Sequence, residues 1–227
     1  AFVMVLSYSR AIFLHFFPAA RLHCFLEGHQ KAFEWYGGIP RVCLYDNLKS
    51  VVIERAGSTI RFNQDFLNFA SNYQFHPRPV GVRRGNEKGR VERAIRYIRT
   101  NFFTARRYRD LDDLNAQALH WCENDSLRRA WIQDKSKTVG DVFCQEQKVL
   151  LRLPSAPPSC EDTAYVSIGK TPYARFETNQ NSVPPEFCRS SLVVKVSTLL
   201  LRFFDGAQLI ATHSRSWARH CIIEDNA

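Results

Sequence analysis

The hydrophobic positions change period along the chain, and each change marks an element. Ala1–Leu6 and Arg10–Phe17 are apolar runs without alternation, parted by the turn-like Ser7-Tyr8-Ser9. They predict a β-hairpin of central strands buried on both faces. After Pro18, Leu22, Phe25, Leu26, His29, Phe33 and Tyr36 recur at three- and four-residue steps. That period predicts a helix over 19–36, stopped by Gly37-Gly38. Arg41–Tyr45 returns to an unbroken run, another strand covered on both faces, and Asp46-Asn47 follows its last apolar residue. Hairpin, helix and strand in this order predict an α/β fold with a mixed sheet.

Further on, Leu48–Arg55 reads as extended, Gly57-Ser58 as a turn, and Asn63 as the cap of a helix to about Ser71. Tyr73–His76 predicts a short strand closed by Pro77 and Pro79. Val80–Lys88 is a basic loop. A helix over 88–104 then carries an apolar stripe of Val91, Ile95, Ile98 and Phe102. Asp110 and Thr138 cap two more helices, to Glu123 and about Leu150. The Pro- and Ser-rich Leu153–Ser159 reads as a linker. Beyond it come five short strands: Ala164–Ile168, Tyr173–Glu177, Ser191–Val196, Leu199–Phe204 and Gln208–His213. Turns are expected at Asn179-Gln180-Asn181 and Asp205-Gly206, and the spacing predicts a small β-barrel.

Charge sharpens this outline. The 227 residues carry a net +9, yet the stretch from Arg83 to Arg109 alone holds ten Lys or Arg against two acids, Glu87 and Glu92. Charge so concentrated points to a polyanionic partner. Seven scattered cysteines form no C-x-x-C pair, which argues against zinc ribbons and disulfide scaffolds and for free, mostly buried thiols in a reducing compartment. No apolar run of membrane-spanning length occurs, so no membrane partner and a cytoplasmic location are expected.

Two acids stand where chemistry is possible. Asp46 follows a buried strand, the end at which α/β sheets place functional groups. Glu92 lies on the basic helix with 45 residues between them, room enough for a crossover that brings the two together. Paired carboxylates suit Mg²⁺ or Mn²⁺, which leave part of their shell to substrate phosphate. Arg83, Arg84, Lys88, Arg90, Arg93 and Arg96 are candidates for phosphate contacts beside them. From the residues alone a plainer reading stays open. Asp46-Asn47 is then a turn, and Glu92 pairs with Arg96 four residues on.

Several motifs together resemble the insertion-sequence transposases of the IstA type, whose catalytic core is of the retroviral-integrase kind. Phe2–Arg10 resembles two strands of that core. Tyr45-Asp46-Asn47-Leu48-Lys49 resembles the motif of its second acid, and Lys88-Gly89-Arg90-Val91-Glu92-Arg93 the G-x-V-E motif of its third. Tyr173–Asn179, Asn181-Ser182-Val183-Pro184 and His213–Trp217 resemble the small barrel that follows.

The resemblance implies an RNase H-like integrase core over 1–125, a helical connector and linker over 126–159, and a small all-β barrel over 160–227. It implies metal-dependent strand transfer between transposon ends and target DNA, an IstB-type ATPase helper and a homo-oligomer. The family uses three acids, and no Asp or Glu precedes Glu27 in this sequence. The expectation is therefore a fragment short at both ends, without the first acid and inactive alone. A non-catalytic DNA-binding or transpososome-assembly module is the alternative.

Overall fold

The computed structural model describes residues 1–45, 52–56, 59–79 and 85–224, with only the backbone path for 52–56, 59–61 and 85–88. It divides into two units, Ala1–Pro158 and Ser159–Ala227. The architecture is mixed α/β with several separate sheets.

In the first unit, β1 (Phe2–Val5) pairs antiparallel with β2 (Ile12–His15), Phe2 opposite His15. The turn closes through Leu6 N–H to the Ala11 carbonyl, and Arg10 takes a left-handed φ of 70°. Both faces of the hairpin are covered. Ile12 and Leu14 face one cluster, with Val3 and Val5 packed against it. Phe2 and Phe13 face another, packed by α1 (Leu22–Tyr36). The helix begins at Leu22, three residues later than its sequence period suggests. It ends as expected at Gly37, whose φ of 68° suits glycine, with Gly37 and Gly38 N–H groups satisfying the Glu34 and Phe33 carbonyls. Gly28 is a close approach: a β-carbon there would come within 2.5 Å of the Phe2 ring.

β3 (Val42–Tyr45) alternates, with Cys43 and Tyr45 buried but Val42 and Leu44 exposed. The unbroken apolar run therefore does not mean two covered faces here. β4 (Val52–Ala56) and β5 (Thr59–Phe62) form a separate antiparallel pair; the turn expected at Gly57-Ser58 lies outside the described residues. Asn63 caps α2 (Gln64–Asn72) by accepting from Asp65 N–H at 2.7 Å. β6 (His76–Pro79) pairs in parallel with β3 and contains both prolines that were expected to close the strand before them. Proline is tolerated because it alternates. His76 N–H reaches the Arg41 carbonyl at 2.9 Å, and the missing N–H groups of Pro77 and Pro79 fall outside that set.

Between α1, α2, β3 and β6 lies an aromatic box around His29. Phe25, Tyr45, Phe66, Phe69 and Phe75 all stand within 6.2 Å of its ring, centre to centre. α3 (Gly85–Tyr97) runs into a π-helical turn, Ile98–Phe102. α4 (Leu111–Glu123) and α5 (Val139–Glu146) complete the unit, capped by Asp110 and Thr138 as their sequences suggest. At Thr138 the bonding is reciprocal with Asp141.

The second unit has seven strands: β7 (Asp162–Ser167), β8 (Tyr173–Phe176), β9 (Asn179–Ser182), β10 (Ser191–Val196), β11 (Leu200–Asp205), β12 (Gln208–Ser214) and β13 (Ile222–Ile223). They form two sheets, β12-β11-β10-β7 and β13-β9-β8, over one shared core of Val166, Ala174, Leu192, Val194, Leu201 and Phe203. Among the described residues the sheets do not close into a barrel. The expected turn at Asn179-Gln180-Asn181 is β9 instead. The reversal falls at Glu177-Thr178, where Glu177 takes φ 55°. Asn179 is buried and uses its amide as a clamp: Nδ2 donates to the Ser216 and Ala218 carbonyls, and Oδ1 accepts from Cys221 N–H. All seven cysteines are free thiols, though only Cys24, Cys43 and Cys122 are buried, fewer than their apolar neighbours suggested. No helix among the described residues is long and apolar enough to cross a membrane.

Candidate functional site

The basic helix α3 is held by a narrow apolar seam. Ala94, Ile98 and Phe102 are buried against Ile12, Leu14 and Trp121. Val91 and Ile95, expected in that seam, are 40% and 36% exposed. The π-helical turn explains the difference. Phe103 N–H bonds the Ile98 carbonyl, five residues back, so this last turn is wider than an α-turn. Buried positions then recur every four residues, 94, 98 and 102, and the seam is displaced from the stripe that an unbroken helix would bury.

With that seam buried, the charged positions face outward. Arg90, Glu92, Arg93, Arg96 and Arg99 are all exposed. The helix is fixed to the hairpin turn by Arg90, which donates from its guanidinium to Ser7 Oγ. It is fixed to α4 by Trp121 Nε1, which donates to Asn101 Oδ1 at 2.6 Å. Beyond the turn, Arg106 stacks over Phe102 at 4.1 Å and donates to the Phe102 carbonyl, which covers the end of the seam.

Each residue expected at the site can now be located. Glu92, Arg90, Arg93 and Arg96 share the described part of α3. Lys88 lies on the same helix, with its backbone alone described. Asp46, Arg83 and Arg84 lie outside the described residues. Asp46 immediately follows Tyr45, the last residue of β3, whose hydroxyl meets His29 Nε2 at 2.8 Å. Among the described residues Glu92 forms no ion pair with Arg96 or any other cation. The plain surface-pair reading of Glu92 therefore finds no support, and its carboxylate is available to a ligand. No cluster of three or more His, Cys, Asp or Glu occurs among the described residues, so Glu92 is the one described member of the expected metal pair.

Three further cations come near α3 that charge counting along the chain did not single out: Arg10 from the hairpin turn, and Arg129 and Lys135 from the segment after α4. Arg129 donates from Nη2 to the Arg10 carbonyl at 2.7 Å and stacks on Tyr97 at 4.6 Å. No linear signal could have found them, since 119 residues part Arg10 from Arg129.

Comparison with known proteins bears on these features. Residues 153–225 match the family model described as Mu transposase, C-terminal domain. The chain is 31% identical over 216 residues to the transposase for insertion sequence element IS21 of Pseudomonas aeruginosa, covering 93% of this chain and 54% of that protein. It is 31% identical over 169 residues to the putative transposase for IS5376 of Geobacillus stearothermophilus, covering 74% and 41%. It is 30% identical over 215 residues to the transposase for IS1326/IS1353 of Pseudomonas aeruginosa, covering 92% and 41%. The chain thus spans about half the length, or less, of these curated relatives.

Proposed function

For a chain that is a homologue of insertion-sequence transposases, the IS21 transposase among them, we propose a part in DNA transposition, with α3 as the surface that meets DNA. The observation that carries this reading is the outward set of Arg90, Arg93, Arg96 and Arg99 around Glu92, on a helix whose other side is anchored in the core. Extended cations on a rigid element suit the regular phosphates of a duplex.

The first unit is read as an RNase H-like integrase core. Its antiparallel hairpin, its parallel β3–β6 pair and the α1 helix packed against them support this. The second unit is read as an open form of the small β domain that follows such cores. Its two sheets over one core and the family match over 153–225 support that. Asp46 at the end of β3 and Glu92 on α3 are the carboxylates that would hold Mg²⁺ or Mn²⁺. Hard oxygen donors fit these ions, and the described member, Glu92, forms no ion pair among the described residues. A divalent ion bound there would supply charge to activate an attacking oxygen and to stabilise a leaving one.

The chain's own residues have separate tasks. Arg93 and Arg96, with Arg83, Arg84 and Lys88, neutralise phosphates and offset the repulsion between DNA and the two acids. Glu92 stands on the exposed side of the helix, oriented by the Ala94–Ile98–Phe102 seam beneath it. The whole transposase also implies an IstB-type ATPase partner, self-association and both transposon ends. These are expectations for the whole transposase, and this chain spans about half the length, or less, of the curated relatives it matches.

The test is fluorescence anisotropy with a labelled DNA duplex across salt concentrations. Each phosphate neutralised releases about 0.9 counterion, so log affinity should fall linearly and steeply with log salt. Arg93→Glu with Arg96→Glu should lower affinity by more than tenfold and flatten the slope by about two. A salt-independent affinity, or one unmoved by the double reversal, would contradict the assignment of α3.

A further inference from the structure

Beside α3 lies a cavity of about 360 Å³ whose wall carries Arg10, Arg90, Arg93, Arg129 and Lys135 and, among the described residues, no acidic one. Five cations around one hollow repel each other, and folded proteins gather such charge where an anion compensates it. The nearest acid with an evident pull on Arg10 is Glu146, and its carboxylate is already engaged. Oε2 accepts from Ser9 N–H at 2.8 Å and Oε1 from Tyr8 N–H at 3.4 Å.

Arg10 has a donor left unmet. Its Nη1 is buried and meets no hydrogen-bond acceptor among the described residues. Burial first, and then the charges of Arg90 and Arg93, push its guanidinium below its ordinary pKa. Arg129 is also lowered by burial, yet it remains anchored by bonds to the Ser126 and Arg10 carbonyls. Arg129 is thus held in place, while the exposed Arg90, Arg93 and Lys135 leave the cavity open to a ligand.

The rest of the lining is apolar. Val5, Ile12, Ala94 and Val139 come from the core, and Trp131 is fixed by its Nε1 donating to the Tyr8 carbonyl at 3.0 Å. Ile132, 68% exposed, stands beside it. A site with fixed guanidinium donors on one part and hydrocarbon on another matches a phosphate joined to a sugar better than it matches a free inorganic ion.

We propose that this cavity between the hairpin turn, α3 and the Ser126–Val139 segment is a binding site for a backbone phosphate of DNA, with the attached deoxyribose against Trp131 and Ile132. This rests on α3 meeting DNA, and it extends that surface by a second, recessed contact made from the hairpin turn and the loop after α4. A duplex crossing α3 would then be held at two levels. Arg96 and Arg99 grip the strand from the open face of the helix, while Arg10, Arg129 and Lys135 receive one phosphate inside the cavity.

The experiment compares Lys135→Glu with Lys148→Glu. Both side chains are exposed, and the substitutions change net charge equally, but Lys148 lies outside the cavity. Anisotropy with labelled duplex DNA should show about tenfold weaker binding and a salt slope smaller by about one for Lys135→Glu. Lys148→Glu should stay within about twofold of the parent, and Lys135→Arg should restore parental affinity. In parallel, inorganic pyrophosphate should raise the melting temperature of the parent and of Lys148→Glu, and Lys135→Glu or Arg10→Gln should lose most of that rise. Equal effects of Lys135→Glu and Lys148→Glu on DNA would overturn the cavity assignment while leaving α3 as the DNA surface. A parent chain without salt-dependent DNA binding would overturn both. Stabilisation by pyrophosphate with DNA affinity unmoved by Lys135→Glu would mean an anion site not used by DNA, and would also overturn the proposal.

Discussion

His29 shows how one side chain can set a property of the whole first unit. It is fully enclosed by aromatic rings, donates from Nδ1 to the Phe25 carbonyl and accepts at Nε2 from the Tyr45 hydroxyl. With the ring neutral, both of its nitrogens are satisfied. Burial lowers its pKa to about 4, against an ordinary value near 6.5. A group whose folded pKa is depressed stabilises the fold fully above its unfolded value and loses that contribution as pH falls toward the folded one. Denaturant unfolding should therefore show about 2 kcal/mol less stability at pH 5 than at pH 7 from this residue. His29→Gln should remove about that much of the pH dependence. An unchanged pH profile in the variant would refute the assignment.

In the second unit the comparable residue is Arg215. It is buried, donates to Glu177 Oε1 at 3.2 Å and to the Ser197 carbonyl at 2.7 Å, and stacks on Trp217 at 3.9 Å. Arg215→Met keeps the bulk but removes its bonds to the Glu177 carboxylate and the Ser197 carbonyl. The expected loss is about 3 kcal/mol, read from chemical denaturation, whereas a loss under about 1 kcal/mol would mean that solvent replaces these bonds. The bonds made by these two residues were not legible from the sequence. His29 showed only as one position in an apolar period, and Arg215 only as part of a motif.

At the scale of elements, local signals were read well where the chemistry is local. The caps Asn63, Asp110 and Thr138 and the stop at Gly37 all stand where side-chain bonding or a left-handed φ requires them. Thr138→Ala should cost about 1 kcal/mol, since both halves of the reciprocal bond with Asp141 are lost. What failed depended on distant partners. The seam of α3 is set by a π-turn that no periodicity reveals. The strand Asn179–Ser182 looked like a turn because the partners that make it a strand are distant: Asn179 bonds across to residues 216, 218 and 221, and Asn181 to the Ala174 carbonyl. Val42 and Leu44 looked buried because an apolar run says nothing of which neighbour arrives. Gly28 gives a test of one such tertiary contact. Gly28→Ala would drive a methyl into the Phe2 ring and should destabilise by roughly 1–3 kcal/mol. A Gly28→Ala, Phe2→Ala double variant should recover part of that loss by relieving the clash, and additive losses would contradict the contact.

For the whole molecule, charge made a polyanionic partner the expectation, and short motifs in order made the likeness to insertion-sequence transposases legible. Glu92 was legible in both ways, as the acid in a basic helix and as part of Gly89-Arg90-Val91-Glu92. Arg10, Arg129 and Lys135 were not, because folding alone brings a hairpin turn and a distant loop to the side of α3. The account joins two claims: a cationic helix that grips DNA, and two carboxylates, Asp46 and Glu92, that share a divalent ion with the bound phosphates. Affinity for a labelled duplex, with and without Mn²⁺, tests the two together. Mn²⁺ should tighten binding by the parent chain severalfold. Asp46→Asn and Glu92→Gln should each bind DNA at least as well as the parent without metal, and each should lose the Mn²⁺ response. If either variant kept the full response, or if Mn²⁺ left the parent unchanged, residues 46 and 92 would not form a shared cation site.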